Sequence, residues 1–184
     1  FLAFIETLPE EFIFQVFRAD AGSVYRAKET RDFLKSKGIA CQYACVESPH
    51  QISIAERNHG VLLSTMRAIM ALFHAPVEFW AAALKYSAVL NNNMASKYKS
   101  NDTAHIPWLT VGMAYAAQLL HPFGCFCILH KTKHQVIDGK TSVRGVYGVY
   151  LGIGLAEGVK DIRAITNEGK IEHSAFFTCQ DNYF

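Results

Sequence analysis

Asp20 and Glu56, with 35 residues between them, are the two side chains whose type and placement suit phosphoryl chemistry. Asp20 follows the apolar run Phe12-Ile-Phe-Gln-Val-Phe17, which reads as a buried strand that delivers an acid to the rim of a sheet. Glu56 falls in the first turn of a long amphipathic helix. Carboxylates brought together from a strand end and a helix start can bridge divalent cations about 3.5–4 Å apart, which clamp the attacking and leaving oxygens of a phosphodiester transfer. Each acid also has a purely structural reading. Ser53-Ile-Ala-Glu56 is a capping box, in which the Ser oxygen accepts from the N3 amide and the Glu from the Ser53 amide. Asp20-Ala-Gly22-Ser23 is suited to an ordinary turn after a strand.

The elements around these acids follow from periodicity. After a break at Pro9 and the strand over 12–17, the pattern predicts a helix over about 27–36 that stops at Gly38, then a second strand over 39–44. Glu47-Ser-Pro49 opens a loop into the Glu56 helix. There Val61, Leu62, Met66, Ile69, Met70 and Phe73 recur at three- and four-residue intervals, so one face should pack on the sheet and hold the first turn near the strand edge. Another helix should start at Pro76 and run to the Asn91-Asn-Asn93 stop, with Phe79, Trp80, Ala83, Leu84 and Leu90 as a core stripe. Polar residues 97–103 read as an inter-domain linker. Beyond Phe123, short apolar runs at 123–130, 143–153, 162–166 and 171–177 alternate with Gly-bearing turns. They predict a small β-barrel or curled sheet, with a hairpin at 167–170.

Several segments occur in an order shared with a known family. Arg18-Ala-Asp20-Ala-Gly22-Ser-Val-Tyr25 resembles R-S-D-N-G-x-E-F, Lys37-Gly-Ile39 with Gln42 resembles G-I-x-H-Q, and Ser48-Pro49-His-Gln51-Ile-Ser-Ile-Ala55-Glu56-Arg57 resembles T-P-Q-Q-N-G-V-A-E-R. Pro76-Val-Glu-Phe79-Trp80-Ala81, Leu90-Asn-Asn92, Phe123-Gly124-Cys125, Tyr150-Leu151-Gly152 and Ser174-Ala-Phe-Phe177 resemble the L-P-x-x-F-W-A, L-x-N-R, R-V-F-G-C, F-L-G-Y and S-R-D-V-x-F segments that follow. These are motifs of copia-type LTR retrotransposon Gag-Pol polyproteins, in their integrase region. The resemblance implies an α/β fold: part of an RNase H-like catalytic core with trailing helices (1–96), a linker (97–120) and an SH3-like β domain (121–184). It implies Asp20 and Glu56 as the second and third of three metal-binding acids, Mg²⁺ or Mn²⁺ as cofactor, and strand transfer between element ends and target DNA. Self-association, and residence of the parent element in nucleus and cytoplasm, come with it.

The same resemblance sets limits. The family's first acid sits on an opening strand upstream of anything in this chain, so the chain alone is expected to be inactive. The His/Cys zinc module that precedes the core in the family is not represented. Ala21, Val24, Ile52-Ser53 and Asn58-His59-Gly60 depart from the family pattern around both acids. Gly60 costs the helix about 1 kcal/mol relative to Ala. A non-catalytic DNA-binding or assembly remnant of a degraded element is therefore the rival reading. Another RNase H-like nuclease would share the acids but leave the module after Phe123 unexplained.

Composition narrows the classes further. With 51% apolar residues the chain can bury one sizeable core or two small ones, and Arg, Lys, His or Glu interrupts every apolar stretch, so none is long or uniform enough to be a spanning helix. The opening Phe1-Leu-Ala-Phe-Ile-Glu has no basic n-region and is not expected to be a signal peptide. The net charge of +2 is uneven: residues 57–101 carry Arg57, Arg67, Lys85, Lys97 and Lys99 against Glu78 alone. That helical middle is the surface best suited to a phosphate backbone, although dispersed charges equally suit solvated helix faces. Cys41, Cys45, Cys125, Cys127 and Cys179 lack neighbouring His at zinc-finger spacing and read as buried free thiols, with Cys125 and Cys127 on one face of a strand.

Overall fold

In the computed structural model, which describes residues 15–20, 22–44, 53–98, 101–106, 119–131, 144–154 and 161–181, the apolar run before Asp20 becomes strand β1 over Val16–Ala19. A single helical turn, α1 (Ser23–Arg26), and α2 (Lys28–Ser36) carry the chain to β2 (Ala40–Tyr43). β1 and β2 pair in parallel, from Val16 opposite Ala40 to Ala19 opposite Tyr43, the arrangement for which a helical crossover is needed. α2 stops at the expected glycine: Gly38 has φ +72°, its N–H donates to Lys35 C=O at 3.0 Å, and the Ile39 N–H donates to Leu34 C=O at 2.8 Å. These are the paired bonds of a Schellman motif, which also sets a hydrophobic contact between the residues corresponding to Leu34 and Ile39. Both are buried.

The Glu56 helix, α3, spans Ser53–Leu72, but its apolar stripe does less than the periodicity promised. Residues 55–61 are exposed; only Ile69, with Met66, Met70 and the following Phe73 partly buried, joins a core, and that core contains β5–β7, introduced below. The polar run Glu56-Arg-Asn-His-Gly60 supplies no apolar face, which accounts for the exposure of that stretch. Contacts divide the chain inside this helix, into Phe1–Gly60 and Val61–Phe184.

Within the second unit, a 3₁₀ turn (Val77–Phe79) leads into α4 (Trp80–Asn93). Trp80, the first residue of α4, is 52% exposed rather than part of the stripe; Ala83, Tyr86, Ser87 and Val89 form the buried face. Where the sequence suggested a linker, β3 (Ser96–Tyr98) and β4 (Asn101–His105) form an antiparallel hairpin with a register shift between Lys97 and Tyr98. Polar composition there does not prevent strand pairing.

The remaining strands are β5 (Phe126–His130), β6 (Gly145–Ile153), β7 (Ile162–Thr166), β8 (Ile171–Ser174) and β9 (Phe177–Gln180). They form one antiparallel sheet in the order β8-β7-β6-β5-β9. The expected hairpin at 167–170 closes with Gly169 N–H on Thr166 C=O at 2.9 Å and Thr166 N–H on Lys170 C=O at 2.8 Å. The run at 171–177 is two strands rather than one. Ser174 Oγ donates to Phe176 C=O at 2.7 Å and accepts from its N–H at 3.2 Å, and after this turn β9 crosses to pair with β5.

Helices and sheet share one core in this unit, so α4, which the sequence assigned to the module ending at residue 96, packs with strands assigned to the module beginning at 121. Tyr150 is fully buried; its hydroxyl donates to Leu119 C=O at 2.6 Å, and the Tyr86 hydroxyl donates to His121 C=O at 2.6 Å. The Tyr86 ring lies 5.6 Å from Phe123 and 6.0 Å, edge-on, from Tyr150. Phe123-Gly124-Cys125 meets Tyr150 through the backbone: Gly124 N–H donates to Tyr150 C=O at 2.8 Å and Tyr150 N–H to Cys125 C=O at 2.9 Å. Among the described residues no helix is long and apolar enough to cross a membrane.

Two outcomes follow. Burial pushes the Tyr86 phenol from 10.0 up to about 12 and that of Tyr150 higher still. The folded state therefore prefers the neutral phenols, and the stability they contribute is fully present below pH 10 and lost as the pH rises through about 12. Urea titrations across this range should show a steep decline for the native chain and a shallower one for Tyr86→Phe. Gly124 has φ +82°, and a Cβ there would lie 3.2 Å from Phe73 Cβ. Gly124→Ala should therefore cost about 1–2 kcal/mol or more in equilibrium unfolding.

Candidate functional site

Asp20 stands exposed just past the end of β1. Its Oδ1 accepts from the Gly22 N–H at 3.1 Å, an Asx-type turn. A Cβ at Gly22 would lie 2.9 Å from that oxygen, so a glycine two residues on suits the way the carboxylate folds back on its own loop. The segment after it is tied to the sheet by aromatic side chains. The Tyr43 hydroxyl donates to Tyr25 C=O at 2.8 Å, the Phe17 and Tyr25 rings lie 5.8 Å apart, and the Arg26 guanidinium sits 5.5 Å from the centre of the Tyr43 ring.

Two of the sequence segments meet across β1 and β2. Arg18 and Gln42 are register partners, and the Arg18 guanidinium donates to Gln42 Oε1 at 2.7 and 3.3 Å. That contact fixes the exposed side of the strand pair immediately before Asp20. Glu56 is exposed in the first turn of α3. The Ser53 side chain, which would complete a capping box, and residues 45–52 lie outside the described residues.

Each acid is thus described on its own element. Exposed carboxylates such as Asp20 and Glu56 suit Mg²⁺ or Mn²⁺ in kind, because both are hard cations that prefer oxygen. Among the described residues, however, no group of three or more His, Cys, Asp or Glu converges where it could hold a metal ion.

The basic residues are dispersed. Arg57 and Arg67 are exposed on α3, and Lys85 is exposed on α4. Lys97 lies in β3 with its side chain outside the described residues, as is the whole of Lys99.

The cysteines carry what the sequence missed. Cys125 and Cys127 are buried free thiols, as expected, but Cys179 joins them: it is the register partner of Cys127 across β5 and β9. No local signal marks this contact, because it depends on which strand β9 pairs with. Cys41 is also a free thiol, and Cys45 lies outside the described residues.

No family model matches the chain. The chain is nonetheless a distant relative of the copia/Ty1 Gag-Pol polyproteins of retrotransposons. It is 23% identical over 137 residues to the retrovirus-related Pol polyprotein from transposon TNT 1-94 of Nicotiana tabacum, across 74% of this chain and 10% of that protein. It is 29% identical over 105 residues to the transposon Ty1-LR3 Gag-Pol polyprotein of Saccharomyces cerevisiae, across 56% of this chain and 6% of that protein. The chain therefore spans a tenth or less of the length of these relatives. Among solved structures, the catalytic core domain of BIV integrase aligns with TM-score 0.44 and 19% identity, over 60% of this chain and 64% of that one. A simian T-cell lymphotropic virus intasome, in complex with PP2A regulatory subunit B56 gamma, aligns with TM-score 0.44 and 12% identity, over 90% and 57%.

Removing the Tyr43 hydroxyl tests how the Asp20 loop is held. Tyr43→Phe should speed amide exchange across 22–26 while costing under about 1 kcal/mol of global stability, since a single exposed hydrogen bond contributes little. Unchanged exchange would mean that the loop is held by other contacts.

Proposed function

We propose that this chain is part of the integrase region of a copia-type retrotransposon polyprotein, and that Asp20 and Glu56 are two of the three acids of its catalytic centre. The observation that carries this reading is the distant relation to copia/Ty1 Gag-Pol polyproteins, joined to an exposed acid at the end of a parallel strand and another in the first turn of the following long helix. The parallel pair β1–β2 supports it as well. Parallel strands are normally buried inside larger sheets, yet Val16 is 45% exposed, as expected of strands that belong to a wider RNase H-like core.

In that setting the chain's own residues have defined tasks. Asp20, turned by Gly22, and Glu56 would present oxygen ligands; Mg²⁺ or Mn²⁺, when bound, would supply charge stabilisation to the attacking and leaving oxygens of a phosphodiester. Arg57, Arg67, Lys85, Lys97 and Lys99 would meet the phosphates of element and target DNA. Residues 121–184, whose fifth strand returns beside the first of a meander, would form the SH3-like module and take part in self-association. The parent element would act between cytoplasm and nucleus.

A non-catalytic role in DNA binding or assembly is favoured by one observation: the second unit has its own core, which contains neither acid. A single experiment separates the two. The polypeptide extended upstream to include the remaining core should join a DNA 3′-end to a target duplex in the presence of Mg²⁺. Asp20→Asn and Glu56→Gln should each reduce the rate by more than the ~100-fold typical of residues that merely support a ligand. Activity indifferent to Glu56→Gln would sink the assignment. Salt-dependent DNA affinity without strand transfer, its log–log slope reduced by about 1 in Lys85→Ala, would establish the non-catalytic role.

A further inference from the structure

Cys127 and Cys179 are direct partners across β5 and β9. His130 N–H donates to Phe176 C=O at 2.8 Å, so that pair is hydrogen-bonded, and alternation along an antiparallel ladder makes Cys127–Cys179 a non-hydrogen-bonded pair. The other side of β5 agrees. Cys125 C=O accepts from Tyr150 N–H at 2.9 Å, so odd-numbered residues of this segment bond toward β6 and even-numbered ones toward β9. Non-hydrogen-bonded pairs hold their Cα atoms about 4.5 Å apart, inside the ~4.4–6.8 Å range of a disulfide. Both thiols are free.

We propose that Cys127 and Cys179 form a reversible oxidation site, in which a peroxide converts the thiol pair into a cross-strand disulfide that staples β9 to β5. Access decides the order of events. Cys127 is fully buried, whereas Cys179 is only partly so and lies on an edge strand. Cys179 is therefore the thiol that a peroxide reaches. Its thiolate attacks the O–O bond, giving a sulfenic acid and hydroxide, which takes up the proton Cys179 had released and becomes water. The Cys127 sulfur then displaces the sulfenic hydroxyl, which leaves as a second water with the Cys127 proton. Two thiols lose two electrons and one peroxide gains them.

Cys125, two residues from Cys127 and so on the same face, is the competing partner for Cys179. The experiment treats the full chain at high dilution with hydrogen peroxide, then blocks free thiols and maps peptides without reduction. The expected result is a Cys127–Cys179 peptide that has lost the mass of two hydrogens and is released by dithiothreitol, with a rise in the thermal midpoint that Cys179→Ser abolishes. A Cys125–Cys179 peptide, or Cys179 driven to sulfinic acid with no cross-link, would overturn the proposal. Because the map is read on the unmutated chain, a variant that fails to fold leaves the test intact.

Discussion

A buried phenol can be tolerated in an apolar core only if its hydroxyl finds a partner, and in the second unit that requirement is met by main-chain carbonyls. Tyr150 donates to Leu119 and Tyr86 to His121, so two helix-and-sheet side chains reach into the segment that precedes β5. Leaving a buried polar group unpaired costs about 1–3 kcal/mol, so these bonds specify where 119–121 must lie. Around them, Tyr86 carries α4 onto the sheet, Phe123 fills the space between, and the reciprocal backbone bonds of Gly124 and Cys125 with Tyr150 begin the pairing of β5 with β6.

Much of this was legible along the chain, element by element. The Gly38 stop, the long Glu56 helix, the β7 strand and the hairpin at 167–170 were readable because each is set by local chemistry: a positive φ, a period, or a turn glycine. The failures have a common physical origin in tertiary context. Val61 and Trp80 sit at helical spacing yet remain exposed, because periodicity says that a face is apolar and not that a partner covers it. The 171–177 run conceals a turn made by Ser174 with Phe176, and no glycine or proline announces it.

The candidate site shows the same division. Asp20's place at a strand end and Glu56's place in a helix start are properties of their own segments, and both could be read there. The bond from Arg18 to Gln42, which joins two segments 24 residues apart, depends on the parallel register and was invisible. So was the approach of Cys179 to Cys125 and Cys127. Convergence, unlike placement, is written in topology.

The β6 strand has a consequence for how such chains diverge. Its first half presents alternating faces, with Tyr147 and Val149 exposed, but from Tyr150 onward, past the irregularity in its pairing with β7, every residue to Gly154 is buried. A polypeptide freed from selection on its chemistry, but not yet on its solubility, would lose letters from the first half and keep them in the second. The Tyr150-Leu151-Gly152 segment then behaves as a mark of packing, one that chemistry elsewhere in the chain neither needs nor disturbs.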